Sequence, residues 1–466
     1  MAATPRLREG GAILLLCCYA QGHQPIGLAA PAGALRRDGY APAMLDLSQE
    51  SLDPNALARA AFVGVWVPMH TALVLGVRAA RRIRENHPGI HVCFYGLYAQ
   101  LNAEYLLDDV ADAVILGDPE TGLPRWIAAL ETGGASVPGV ALPGRAAKAA
   151  LERPAGGLPD RAGLPPLEAY VRLDHAGRRE VVGYVEATHG CKHLCLHCPI
   201  TPVFRGRFFA VPRDAVLADI RQQVAAGAQH ITFGDPDCLN GPGHALAIVR
   251  ALHGEFPRLG YDFTAKIEHL LRHAALLPEF AATGCRFIVS AVESLSDIVL
   301  RQLDKGHSRA DVAAALRLTR EAGIPLRPSL VPFTPWSTLS DYLTLLDWIE
   351  WERLIRHVEP IQLAIRLLVP PGSALLGTPQ FEPHRGTLHA EGFTWRWTHP
   401  DPAMDTLQAR VMAIVDAGTQ RGDTPEEIFA AIRATARLAA GLDEIAFRPP
   451  APPAAPVPRL TEPWFC

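Results

Sequence analysis

The sequence predicts two successive α/β units: a doubly wound parallel sheet, then a partial (β/α)6 barrel with a helical C-terminal extension. Three observations predict this. Short apolar runs rich in β-branched residues alternate with amphipathic helical stretches over the first quarter of the 466-residue chain. A Pro/Gly/Ala-rich stretch then interrupts the pattern, and a second βα series begins near residue 181. Composition is that of an ordinary globular chain, 49% hydrophobic and 20% charged. This excludes a disordered chain, a collagen-like fibre and a small disulfide scaffold. A net charge of −4 gives no basic field for nucleic acid or an anionic lipid surface.

Taken in order, residues 1–132 form the first unit. Its expected strands are 12–18, 43–47, 62–68, 91–96 and 113–117. The stretch 71–86 is amphipathic, with Ala72, Val74, Val77, Ala80 and Ile83 on one face. Right-handed βαβ units of this kind place a ligand at the carboxyl ends of the strands. The opening Arg6, Arg8 and 12–18 mimic a signal peptide, but a buried first strand explains them better. No apolar run approaches the roughly 18–20 residues of a membrane span. Residues 133–180 read as a linker draped on the surface. The second series, 181–378, has expected strands at 181–188, 230–234, 261–267, 286–292, 326–332 and 361–368. Helices are expected at 214–226, 245–255, 308–322 and 338–351. Residues 379–447 form the extension, helical over 403–440, and 448–466 a Pro-rich tail. The aromatic stretch Phe393-Thr-Trp395-Arg-Trp397 reads as core packing.

Of the nine cysteines, three cluster as Cys191-Lys-His-Leu-Cys195-Leu-His-Cys198, after a strand and before a helix. An odd count with one tight cluster fits a reducing cytoplasm and a metal site better than disulfides. Three thiolates on one loop can hold three irons of a [4Fe–4S] cluster and leave the fourth to a non-protein ligand. On spacing alone, structural zinc stays open, with His193 or His197 as the fourth ligand.

With the segments that follow it, this loop resembles the radical SAM superfamily over roughly 181–376. Gly234-Asp-Pro-Asp237 closes the second strand, Ser290-Ala-Val-Glu293-Ser294 the fourth, and Leu303-Asp-Lys-Gly-His307 precedes the next helix. The resemblance implies a [4Fe–4S] cluster on Cys191, Cys195 and Cys198 that reductively cleaves S-adenosylmethionine. It implies that Gly234, Asp235 and Asp237 meet the SAM amino group, and Ser290 and Glu293 the ribose. Lys266 and Glu268 are candidate contacts whose plain alternative is a surface ion pair. His269 and His307 read as solvated. Two positions depart from the family pattern. His189-Gly190 stands where Arg-Gly is usual, and His197 where an aromatic residue is frequent.

The first unit resembles the Rossmann-like domain of the B12-binding class of radical SAM enzymes. That likeness implies cobalamin against His70, Thr71, Gly96, Tyr98 and Gly117, at the ends of the third, fourth and fifth strands. A DxHxxG cobalt-ligand motif is absent, and His23 in Gln21-Gly-His23-Gln-Pro-Ile-Gly27 reads as an ordinary loop histidine. The expected function is a radical SAM enzyme, with cobalamin-dependent methyl transfer or carbon-skeleton modification as its reaction. It would take a substrate and an electron donor such as a ferredoxin or flavodoxin. The competing readings are an iron–sulfur electron-transfer or sensing protein and a zinc-stabilised binding module. Finally, Pro458-Arg-Leu-Thr-Glu-Pro-Trp-Phe-Cys466 resembles the CUAEP/CCAEP-tail radical SAM proteins. The resemblance implies a redox tail at Cys466 and a selenocysteine codon following it.

Overall fold

The computed structural model describes residues 7–134, 136–145, 147–443 and 457–462. The first strand, Ile13–Cys17, is buried throughout. Parallel strands flank it, Ala43–Asp46 on one side and Phe62–Trp66 on the other. His91–Tyr95 and Ala113–Ile115 continue the parallel sheet, and Val140–Ala141 closes its edge antiparallel. In chain order the strands run 2-1-3-4-5-6. The order reverses between the first and third strands, so their carboxyl ends form a crevice. The period of two divides the first strand between two cores. Leu14 and Leu16 pack with Val77, Ala80 and Ile83. Ile13, Leu15 and Cys17 pack with Leu28, Ala32 and Leu35.

In the second unit, Arg178–Val185, His230–Phe233, Gly260–Thr264, Cys285–Glu293 and Leu326–Leu330 pair in parallel. These are five of the six expected barrel strands. The sixth position holds a single parallel bridge between Phe333 and Arg366. Pro360 opens a 3₁₀ turn there, Pro360–Leu363, and Gln362 Oε1 accepts the Leu330 N–H at 2.8 Å, the donor a sixth strand's backbone would pair. Two strands outside the expected set extend the sheet antiparallel, Arg172–His175 and then Arg459–Leu460.

The segment read as a surface linker is mostly exposed or half-buried but carries one buried clamp, Arg161. Arg161 holds Asp219 through two bonds of 2.8 Å and also donates to Gln24 Oε1 and the Tyr184 carbonyl, both at 2.8 Å. Its side chain is 8% exposed and that of Asp219 5%. One guanidinium thus joins both sheets, because its fork of five donors matches a carboxylate and two further oxygens.

The C-terminal helices Pro402–Arg421 and Pro425–Ala439 bury Leu407, Val411, Phe429 and Ile432 in the barrel's own core. Thr424 and Glu427 form a reciprocal cap that starts the second helix. Of the aromatic stretch, Phe393 and Trp397 are buried, and Trp397 packs with Phe381 and Val369. The tail strand Arg459–Leu460 is docked as well. Arg327 donates to the Pro458 carbonyl at 3.0 Å, and Arg459 pairs with Glu359 at 2.7 Å. The Cys466 reading lies outside the described residues.

Candidate active site

The carboxyl ends of both parallel sheets open into one cavity of about 1030 Å³. That is the upper end of the range for a single small-molecule pocket. Gly96, Tyr98 and Gly117 line it from the first sheet; Cys198, Gly234, Asp235 and Glu293 line it from the second.

The cysteine loop leaves the barrel after the short strand Thr188–Gly190, which pairs antiparallel with Phe208–Ala210 and so ties both ends of the loop together. Cys191 and Cys195 are buried and Cys198 half-buried. Asn240 Nδ2 donates to Cys191 Sγ, and Lys266 Nζ to Cys195 Sγ, each at 3.4 Å. Burial pushes the Cys198 thiol up to about 12, and burial raises Cys191 as well. Neutral thiols are therefore favoured until cations arrive to hold thiolates. Neither candidate fourth ligand turns to the sulfurs. His193 faces Asp237 and Glu268, and His197 faces Glu293 at 3.3 Å. Three thiols ringed by N–H donors, without a fourth side-chain ligand from either histidine, fit a cluster with one open iron. They do not fit a closed four-ligand zinc site.

Gly234 approaches closely: a Cβ there would lie 1.9 Å from Tyr184 Oη. Asp235 is buried and its carboxylate is already engaged. Thr188 Oγ1 donates to Oδ1, and the Ala187 N–H to Oδ2 at 3.1 Å. Burial lifts this carboxyl to about 6 against those bonds. Glu293 closes its strand at φ +63°, in the left-handed region that disfavours a side chain. Burial would raise its carboxyl, but Lys305 at 3.1 Å and His197 outweigh that and hold it at about 2.

The remaining expected contacts point elsewhere. Val289, Ala291 and Glu293 line the cavity, whereas Ser290 is on the opposite parity and fully buried. Lys266 is buried against Cys195 and also lies 4.0 Å from Glu268, so the ion pair offered as the plain alternative is present, with its lysine buried. Asp237 and Glu268 sit behind the cysteine loop with His193, outside the cavity lining. His269, read as solvated, is buried at 2.7 Å from Asp237. His307 is half-buried, and burial lowers it to about 4. In the first unit, His70 turns away to the Gly392 carbonyl at 2.6 Å, and Thr71 does not line the cavity. His23 does line it, buried against the Tyr184 ring at 4.8 Å.

Sequence reasoning missed Glu186, His189 and Lys305. Glu186 and His189 line the cavity at 3.3 Å from one another, and Glu186 outweighs burial to raise the His189 imidazole to about 9. Lys305 stands in the Leu303–His307 segment quoted above, and only the fold brings its ammonium to Glu293.

Residues 185–349 match the model of the Radical SAM superfamily. A cobalamin-dependent S-adenosylmethionine radical enzyme, OxsB, superposes with a TM-score of 0.70 at 13% identity, over 92% of this chain and 72% of that one. The radical S-adenosylmethionine methyltransferase TsrM from Kitasatospora setae gives a TM-score of 0.57 at 18% identity, over 73% and 70%. The ribosomal protein uS12 methylthiotransferase RimO of Geotalea uraniireducens is 28% identical over 186 residues, 37% of this chain and 40% of that protein. The chain thus spans about two fifths of the length of the curated relatives it matches. Residues 185–349, which include the cysteine loop, thus match the Radical SAM superfamily, and the two-sheet fold is similar to that of the cobalamin-dependent enzymes OxsB and TsrM.

Proposed function

We propose that the chain is a cobalamin-dependent radical SAM enzyme that transfers a methyl group to, or rearranges the carbon skeleton of, a small substrate. One observation carries this reading: the single cavity is walled on one side by Cys198 and Glu293 and on the other by Gly96, Tyr98 and Gly117. A corrinoid and SAM would therefore face each other across a shared space. A [4Fe–4S] cluster on Cys191, Cys195 and Cys198, when bound, supplies the open iron and the electron that reductively cleaves SAM.

The chain's own residues do the positioning. Lys266 and Asn240 donate to the thiolate sulfurs and set the charge around them. Glu293, held ionised by Lys305, is the acceptor for a ribose hydroxyl. Gly234 leaves backbone for the amino group of SAM. His189, protonated beside Glu186, is a cation facing the same cavity. Among the described residues no helix is long and apolar enough to cross a membrane. A cytoplasmic electron donor such as a ferredoxin or flavodoxin completes the proposal.

Anaerobic reconstitution with iron, sulfide and hydroxocobalamin tests it. The expected result is a [4Fe–4S]⁺ EPR signal that shifts with SAM, SAM-derived products, and corrinoid retained through gel filtration. A cluster without SAM cleavage would turn the reading to electron transfer or sensing. SAM cleavage without corrinoid retention would leave the first domain as scaffold.

A further inference from the structure

Behind the cysteine loop, outside the cavity lining, three ligand atoms converge. His193 Nε2 lies 3.6 Å from Asp237 Oδ2, and His269 Nδ1 lies 2.7 Å from the same oxygen. The two imidazoles are 4.5 Å apart. All three atoms lie within 4.8 Å of one another, the one such triplet among the described residues. The side chains of Asp237 and His269 are 0% and 5% exposed. The three atoms are shielded from solvent, yet none has a hydrogen bond of acceptable direction. Buried polar atoms left this way are rare and costly.

Their neighbouring atoms are already engaged. Asp237 Oδ1 accepts the Leu239 N–H at 3.0 Å. His193 Nδ1 faces Glu268 Oε2 at 3.5 Å. A carboxylate behind one ring nitrogen fixes the tautomer that presents the other nitrogen, as it does for metal-bound histidines. Three separate elements meet here: the cysteine loop, the turn after strand His230–Phe233, and helix Ile267–Arg272.

We propose that His193 Nε2, Asp237 Oδ2 and His269 Nδ1 form a second metal site, for one divalent transition-metal ion of the zinc or ferrous type. Two imidazoles and one carboxylate are the donor set such ions take. Bonds of about 2.1 Å at tetrahedral angles put donors roughly 3.4 Å apart. The gaps of 2.7 and 3.6 Å bracket that spacing. The ion would pin the cysteine loop to the ends of the second and third barrel strands.

The test is built to read this site whether or not the cluster assignment holds. The full chain carrying Cys191→Ala, Cys195→Ala and Cys198→Ala is titrated anaerobically with Co(II). One equivalent should bind, with visible d–d bands and no sulfur-to-cobalt charge transfer, and zinc should displace it. Adding His269→Gln or Asp237→Asn should abolish the bands. A natively folded triple variant that takes up no cobalt, or a His269→Gln chain that keeps its equivalent, overturns the proposal. Should the triple variant misfold, the cysteine-intact chain is incubated with zinc, passed through a chelating column and analysed for metals. One zinc per chain should remain, and His269→Gln should lose it while its iron loading stays unchanged. Equal zinc in both chains overturns the site.

Discussion

The two walls of the cavity come from two different parallel sheets and carry opposite chemistry. The barrel wall presents ionisable groups in pairs: buried Glu293 with Lys305 and His197, and half-buried Glu186 with His189. The first-domain wall presents Ile26, Gly27, Trp66, Pro68, Gly96, Tyr98 and Gly117, that is, shape and backbone. Its acidic groups, Asp118 and Glu120, come just after the fifth strand, and burial lifts Glu120 to about 7. One wall holds ligands by charge, the other by letting them come close. Substitutions should therefore fail differently on the two sides.

The largest effect is expected on the charged side. Cys195→Ala removes a ligand that Lys266 already addresses, so iron loading and SAM cleavage should fall to background, read by the brown absorbance and product assay. Corrinoid retention should survive, because no first-domain residue is changed. Full iron loading in this variant would remove the basis of the contrast. Next is the joint between the walls. Arg161→Ala leaves the buried Asp219 carboxylate without its cation, with Gln222 Nε2 as its remaining side-chain donor, which costs about 3–5 kcal/mol. It also releases Gln24 and the Tyr184 carbonyl. A lowered melting temperature should accompany loss of corrinoid and cluster together, whereas loss of one alone would show that the walls are held independently.

The same contrast explains what could be read from the chain. The barrel was legible because its chemistry is local: three cysteines on one loop, and strands ending in Gly234 and Glu293. Ser290 misled because one residue of parity moves a side chain to the other face of the sheet. Asp237 misled because the turn after the second strand carries it behind the loop. Lys305 needed the fold because Glu293, 12 residues away, ends a strand, and His189 needed it because nothing local shows that it and Glu186, three residues apart, face the cavity. The first domain was legible as a sheet but not as a site. Its wall is built of glycine and apolar side chains, which mark a core as readily as a pocket. His70 shows the cost: only the C-terminal hairpin, distant in sequence, reveals that it is bonded to Gly392. Arg161 lay in a Pro/Gly-rich stretch whose composition says surface, and only Asp219 and Gln24 reveal its burial.

A smaller effect is expected on the shape side. Gly117 sits at φ +140°, and a Cβ there would lie 2.2 Å from the Ala150 carbonyl oxygen. Gly117→Val must move that strand end, at a strain of about 1–3 kcal/mol. Corrinoid affinity should drop about tenfold or more, measured by equilibrium binding, with iron loading intact. Unchanged affinity would mean that the wall's shape does not select its ligand.

The smallest effect tests whether the first-domain wall is uncharged where it meets the barrel. Burial lowers the His23 imidazole to about 4, with Asp262 opposing and His230 adding to the shift. An unfolded histidine titrates near 6.5. Above that value both states are neutral and the contribution to stability is complete. As pH falls from about 6.5 toward 4, the unfolded chain binds a proton that the native chain refuses, so stability is lost across that window. His23→Gln keeps a polar side chain of similar reach without the proton. Urea midpoints at pH 7 and pH 5 should converge for the variant, relative to the parent, by about 1–2 kcal/mol. His307 and His357, also lowered to about 4, contribute equally to both proteins and cancel. An identical pH 5 loss in parent and variant would mean that His23 takes its proton in the native state. The shape-built wall would then carry a cation 4.8 Å from the Tyr184 ring, and the division between a charged and an uncharged wall would no longer hold.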